Sequence, residues 1–323
     1  MDAWKVELAE AFTDPKRLLS FLEIDPDGAL ADDAALNFPV RVTRSFAGRM
    51  RKGDGLDPLL RQVLPASDEL LAAPGFATDP VGDRKAAARR GLLHKYTGRV
   101  LLVTTGACAV NCRYCFRRGF PYQDQQLTRS AEPTVLAYIA GDESIEEVIL
   151  SGGDPLLLGD RRIGRLVASL AQIPHLSRIR IHSRVPVVLP SRITDALVTA
   201  FAGTRLDPVM VIHANHPNEW DGSVGEALER LRRAGVTLLN QAVLLRGIND
   251  DAATLAALSE RFFGAGVLPY YLHLLDRALG TAHFEVSERR ALALHEQLRR
   301  RLPGYLVPRL VREVAGQPYK TLL

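Results

Sequence analysis

Arg99-Val-Leu-Leu-Val-Thr-Thr-Gly-Ala-Cys108-Ala-Val-Asn-Cys112-Arg-Tyr-Cys115 decides how this chain is read. Its first seven residues form an apolar run of strand length, and a polar loop with three cysteines follows at the carboxyl end. No other cysteine occurs in the 323 residues. The loop therefore supplies three thiolates to one centre and no more. Thiolates suit iron–sulfur clusters or zinc, and a 4Fe–4S cubane usually takes four cysteines, so three leave one iron open to a non-protein ligand. An open position separates metal sites that do chemistry from those that only hold a fold. A zinc site of the three cysteines plus His94 or His182 is the competing reading, although zinc usually draws on two short knuckles and no second one is present. An odd, crowded set does not read as disulfides.

Outward from this stretch the same alternation recurs. Glu146–Leu150, Arg178–His182, Pro208–His213, Val236–Val243 and Leu268–Leu274 are further short apolar runs, separated by helical segments. In the clearest helix, Val224, Ala227, Leu228 and Leu231 recur at i, i+3, i+4 and i+7, and Gly235 stands at the end. Repeated βα units imply an α/β fold on a parallel sheet. Six units fall short of the eight in a closed barrel, so the expected fold is a partial (β/α)6 barrel. A polar cluster follows each run: the cysteine loop, Ser151-Gly-Gly-Asp154, Ser183-Arg184, His213-Ala-Asn-His216 and Asp276, with Asn240-Gln241 inside the fifth. That rim is where such barrels build active sites. Residues 1–95 read as a small, mostly helical N-terminal region, 96–302 as the barrel and 303–323 as a C-terminal segment. Asp14-Pro15 and Asp57-Pro58 mark helix starts in the first part.

Composition excludes several classes. The chain is 47% hydrophobic and 24% charged, with a net charge of +4, and its arginines lie on amphipathic faces without interleaved aromatics. No nucleic-acid partner is expected. The N-terminus has no apolar signal segment and no run is long enough to span a membrane. With reduced thiols, the expected location is cytoplasmic.

The three-cysteine loop, with Tyr114 before its last cysteine, resembles the cluster loop of radical S-adenosylmethionine enzymes. In that family the amino and carboxylate groups of S-adenosylmethionine chelate the open iron, and one-electron reduction releases a 5′-deoxyadenosyl radical. Ser151-Gly152-Gly153-Asp154 resembles the family segment that contacts the amino group of S-adenosylmethionine. Read alone, it is a strand-to-helix turn with Asp154 as N-cap.

Longer stretches resemble the lysine 2,3-aminomutase family in order along most of the chain. They include Asp57–Gln62, Lys95–Arg99, Cys112–Arg118, Leu150–Leu156, Arg184–Pro190, His213–Glu219, Gln241–Asn249, Tyr270–Asp276 and a lysine near the C-terminus. The resemblance implies a role for each matching residue. Lys320 would hold pyridoxal 5'-phosphate as a Schiff base, a task that needs a lysine of depressed pKa. Lys95, Tyr96 and Arg99 would bind its phosphate, and Gln241 would lie near the ribose of S-adenosyl-L-methionine. Arg117 would clamp the substrate carboxylate, while Asp276 and Glu313 would receive the ε-ammonium. The family often has Arg in place of Lys95 and Asp in place of Glu313. Two acids without an added base imply a cationic substrate rather than a glutamate, since a buried charge must be paired.

The implied activity is conversion of (S)-α-lysine to (R)-β-lysine, with a flavodoxin or ferredoxin as electron donor. Phe38–Asp54 resembles the branch of the family linked to elongation factor P, in which a separate ligase attaches β-lysine to that factor. Free-lysine enzymes generally continue past the position of Leu323. The alternatives are a stand-alone lysine 2,3-aminomutase, a non-catalytic iron–sulfur electron carrier and a zinc-binding protein.

Overall fold

The computed structural model describes residues 2–26 and 32–323. Ten strands form one sheet in chain order: β1 (Ala87–Arg89), β2 (Leu92–Tyr96), β3 (Arg99–Thr105), β4 (Glu147–Gly152), β5 (Arg178–Ser183), β6 (Asp207–His213), β7 (Thr237–Val243), β8 (Val267–His273), β9 (Arg309–Arg312) and β10 (Thr321–Leu322). The six runs read from the sequence are β3 to β8, and every neighbouring pair among them is parallel. Within the C-terminal segment, β9 is parallel to β8, and β10 folds back antiparallel on β9. At the other edge, β1 and β2 pair antiparallel with each other and with β3. These two strands lie within the stretch expected to be mostly helical. The sheet stays open among the described residues, since β1 and β10 do not pair.

Strand β5 shows how the barrel builds its interior. Ile179 and Ile181 are fully buried, while Arg178, Arg180 and His182 alternate with them and are only partly covered. A parallel sheet packed on both faces usually reads as a continuous apolar run. Here one face meets the helices and the other carries charge, so the interior is a binding chamber. The helix Gly222–Arg233 buries Val224, Ala227, Leu228 and Leu231, the four residues its periodicity picks out. Asp221 caps it by accepting from Val224 N, and Gly235 beyond its end takes φ +79°, where a side chain would be strained.

The N-terminal helices Ala3–Ala9, Pro15–Phe21, Asp32–Asn37 and Arg44–Ala47 are short. Trp4, Leu18, Leu19 and Phe46 join the same apolar core as the barrel strands, so these helices are packed onto the barrel. Among the described residues no helix is long and apolar enough to cross a membrane.

Candidate active site

A cavity of about 570 Å³ occupies the barrel interior, and every site residue named from the sequence lines it. At its rim, Cys108, Cys112 and Cys115 lie in the loop after β3. Burial pushes the Cys115 thiol up to about 11 and holds Cys108 well above its ordinary value. Such thiols stay protonated until a metal centre supplies positive charge, and assembly then releases protons. Among the described residues no three His, Cys, Asp or Glu side chains converge on a single metal ion. A cubane binds each thiolate through a different iron, and three cysteines in one loop match that demand. His94 is also engaged elsewhere, at 2.9 Å from the Tyr138 hydroxyl.

A buried polar network supports the loop from below. Arg184 donates to Cys112 Sγ at 2.7 Å, to Gln62 Oε1 at 2.7 Å and to Glu219 Oε2 at 3.1 Å. Asn215 donates to Gln62 Oε1 and to the Tyr114 hydroxyl, and the Tyr114 ring stacks on His213. A cation against one thiolate sulfur stabilises added negative charge there, which is what a cluster ligand carries. In the sequence, Gln62 and Glu219 stand only in matching stretches, while Arg184 and Asn215 also stand in the polar clusters of the rim. Their common purpose appears once Gln62, Arg184, Asn215 and Glu219 are seen to meet beneath Cys112.

The Gly152-Gly153 pair serves its own chain. A Cβ on Gly152, where φ is +128°, would stand 2.4 Å from Thr105 O, and one on Gly153 would stand 2.3 Å from Ala107 O. The close approach that glycine permits is therefore to the lead-in of the cysteine loop. The Asp154 carboxylate is likewise saturated by its neighbours. It accepts from Leu156 N at 3.1 Å, Ser183 Oγ at 2.7 Å, Arg184 N at 2.8 Å and Val185 N at 3.2 Å. The cap reading accounts for the first bond, and the other three tie the carboxylate to the segment after β5. Gly153→Ala should displace the cysteine loop and cut bound iron and 5′-deoxyadenosine formation by about tenfold or more, as expected for a backbone clash that cannot relax cheaply. Iron content of the reconstituted variant checks this, and wild-type content would refute it.

Deeper in the cavity the charges are paired. Arg117 gives Nε to Asp83 Oδ2 at 2.7 Å and Nη1 to Ser151 Oγ at 3.1 Å. Lys95 Nζ lies 2.6 Å from Asp83 Oδ1, 2.7 Å from Val81 O and 3.6 Å from Glu313 Oε1. Asp83, which the sequence reading missed, is 2% exposed and joins two cations that come from different strands and loops. The hairpin of β9 and β10 delivers Lys320, whose Nζ sits 2.6 Å from Glu313 Oε2. Tyr96 also donates to Glu313, so this carboxylate ties the β2 edge to the β9 edge. Burial would raise Glu313, but Lys320, Tyr96 and Lys95 hold it below the usual range.

Asp276 is different. Its side chain makes no hydrogen bond among the described residues, and burial pushes it up to about 7, with Lys320 pulling down and Glu313 pushing up. Burial also keeps His182, His213 and His273 neutral, and the His182 Nε2 has no partner among the described residues. Arg99 stacks over Tyr96, and Gln241 neighbours His213 across β6 and β7. The arrangement thus places thiols at the rim, an amine and acids on one wall and arginines below.

Comparison with known proteins accords with this layout. The Radical SAM superfamily model matches residues 102–258. The L-lysine 2,3-aminomutase of Escherichia coli K12 is 51% identical over 322 residues, covering 99% of this chain and 94% of that protein. That of Haemophilus influenzae is 48% identical over 320 residues, covering 99% and 95%. That of Clostridium subterminale is 36% identical over 282 residues, covering 87% and 67%. With identity of this order running from the N-terminal helices through Lys320, the chain belongs to the L-lysine 2,3-aminomutase family of radical SAM enzymes.

Proposed function

We propose that this chain isomerises (S)-α-lysine to (R)-β-lysine. The observation that carries the proposal is a single cavity gathering three thiols, an amine at Lys320 and an acid at Asp276 that lacks a hydrogen-bond partner among the described residues. Family membership implies a 4Fe–4S cluster, S-adenosylmethionine and pyridoxal phosphate. When bound, the first two supply a deoxyadenosyl radical, and the third supplies the π system through which nitrogen moves from Cα to Cβ. The chain holds and orients. Cys108, Cys112 and Cys115 would carry the cluster, with Ser151–Asp154 and Gln241 beside it for S-adenosylmethionine. Lys320 would anchor pyridoxal phosphate, with its phosphate toward Tyr96 and Arg99. Arg117 has Nη2 without a partner among the described residues, and would offer it to the substrate carboxylate. Asp276 and Glu313 would receive the ε-ammonium, which fixes Cβ against the rim and keeps water from a reactive centre. Anaerobic incubation with lysine, S-adenosylmethionine and dithionite should give β-lysine. No β-lysine, or equal turnover of alanine, refutes the proposal.

Asp276 also gives the proposal a pH signature. Its carboxyl is charged only above about 7, so binding of the ε-ammonium strengthens as pH rises through that value. The efficiency kcat/KM reports groups of the free enzyme and should show an acid limb centred near 7. Asp276→Asn should erase that limb. A profile flat from pH 6 to 8 in the parent protein would exclude Asp276 from substrate binding.

We further propose that the β-lysine is made for elongation factor P. The resemblance of Phe38–Asp54 to that branch supports this reading. Incubating the enzyme with elongation factor P and its ligase should add one β-lysyl unit to the factor, read by mass spectrometry. Accumulation of free β-lysine without modification favours the stand-alone enzyme.

A further inference from the structure

The segment Arg84-Lys-Ala-Ala-Ala-Arg-Arg90 carries four cations in seven residues, and the site described above uses none of them. All four are exposed, and none forms an ion pair among the described residues. The segment runs from a turn through β1 into the turn before β2, so these charges are not the polar face of a packed helix.

Both ends of the segment are fastened to the stretch that carries the cysteines. Just before it, Asp83 accepts from Arg117, two residues after Cys115. At its other end Arg90 donates Nη2 to Gln123 O at 2.8 Å, in the short helix Tyr122–Gln125. Tyr122 packs closely on Gly106, two residues before Cys108: a Cβ on that glycine would stand 2.7 Å from the Cβ of Tyr122. Because β2 runs antiparallel to β3 with Leu92 opposite Leu102, the turn at Arg89–Gly91 lies toward the carboxyl end of β3, where the cysteine loop begins. The loop surfaces there, since Ala107, next to Cys108, is exposed. A fifth exposed cation without an ion pair among the described residues, Arg129, follows Leu127, whose backbone crowds Gly91. The acids alongside are Asp79, which accepts from the backbone N–H groups of Asp83 and Arg84, and the exposed Asp124. Five cations against two carboxylates leave this face positive by three. Like charges gathered on one side repel in the free protein and gain where an oppositely charged surface meets them.

We propose that Arg84, Lys85, Arg89, Arg90 and Arg129 form the docking surface for an acidic electron-carrier protein, which reduces the cluster through the adjoining cysteine loop. The donor loses one electron and the cluster gains it, and no bond forms or breaks. The inference rests on the cluster reading given above. Nucleic acid or anionic lipid would also be drawn to these cations, but neither delivers an electron, and the cations lie where the cysteine loop surfaces.

The test uses the cluster-reconstituted full chain, with an acidic flavodoxin in its reduced form as probe at subsaturating concentration. Cluster reduction is read by electron paramagnetic resonance of samples frozen at successive times. The variant combines Arg84→Gln, Lys85→Gln and Arg89→Gln, and keeps Arg90 because it holds Gln123. Its reduction by flavodoxin should be about tenfold slower at low salt, the lower end of what electrostatic steering supplies. Salt of about 1 M, which screens charges within about 3 Å, should bring the two rates together. Arg84→Lys with Arg89→Lys keeps the charge and should keep the parental rate. Reduced methyl viologen, a small cation that needs no docking surface, should reduce the Gln variant at least as fast as the parent. Equal rates with flavodoxin at low salt, including no reduction of either protein, overturn the proposal. Weaker binding of the variant to RNA or to anionic lipid vesicles, alongside those equal rates, would give the surface to that partner instead. A parent protein that shows no cluster signal even with reduced methyl viologen overturns the cluster reading itself, and the inference with it.

Discussion

Lys320→Ala should yield a protein that keeps its iron and still cleaves S-adenosylmethionine but retains no pyridoxal phosphate through gel filtration. Its β-lysine formation should fall by about a thousandfold or more, because an anchored cofactor is present at effective molarities far above any free concentration. The structure explains why the fold should survive. Lys320 lies in a terminal hairpin and is a quarter exposed, and Glu313 keeps Tyr96 and Lys95 as partners when Lys320 is gone. The cysteine loop lies after β3, remote in sequence from the β10 hairpin, so cluster content should not change. Borohydride trapping followed by peptide mapping reads the outcome directly. Wild-type trapping in Lys320→Ala would move the anchor to another lysine, with Lys95 the first suspect because it lines the same cavity.

The parts legible in the sequence were those with local or periodic signals. The strand before Cys108 announces itself through a Val-rich run, the helix at Val224–Leu231 through its spacing, and the cysteines through their isolation. Asp83 carries no such signal. It sits in a turn-rich stretch, and its importance comes from Lys95 and Arg117, which reach it from elsewhere in the fold. The same holds for Gln62 and Glu219, both fully buried, which meet each other and Arg184 from distant parts of the chain. The segment Ser151–Asp154 was visible as a strand-to-helix turn, but not what approaches its glycines, since that is the backbone at Thr105 and Ala107. The antiparallel β1 and β2 were missed because Ala87–Arg89 and Leu92–Tyr96 are too short and too charged to alternate clearly. Periodicity reports which face of an element is buried. It does not report which distant charge will meet it.

The two acids near Lys320 separate in the same way, and their variants should separate too. Glu313 is committed to Tyr96, Lys95 and Lys320, so Glu313→Gln would leave buried cations underpaired and should lower both stability and activity. Among the described residues Asp276 has no hydrogen-bond partner to lose. Its carboxyl titrates near 7 in the folded chain against an ordinary value of 3.8, so its charged form is disfavoured by folding. Stability from this group is therefore fully present below about 3.8 and is lost as pH rises through about 7. Asp276→Asn removes that penalty and should raise Tm most at pH 8, less at pH 5, and hardly at all below about 3.8. The same substitution should cripple lysine turnover. A substrate ammonium in a dry pocket without its counter-charge loses roughly 3–5 kcal/mol, the cost of breaking a buried pair. At about 1.4 kcal/mol per factor of ten, kcat/KM for lysine should fall by two orders of magnitude or more. Uncoupled cleavage of S-adenosylmethionine should change little, since Asp276 lies after β8 and the cysteines after β3. A more stable protein with a hundredfold lower efficiency would identify Asp276 as a group held in an unfavourable state for its substrate. Lower stability together with unchanged lysine turnover would assign it to structure alone.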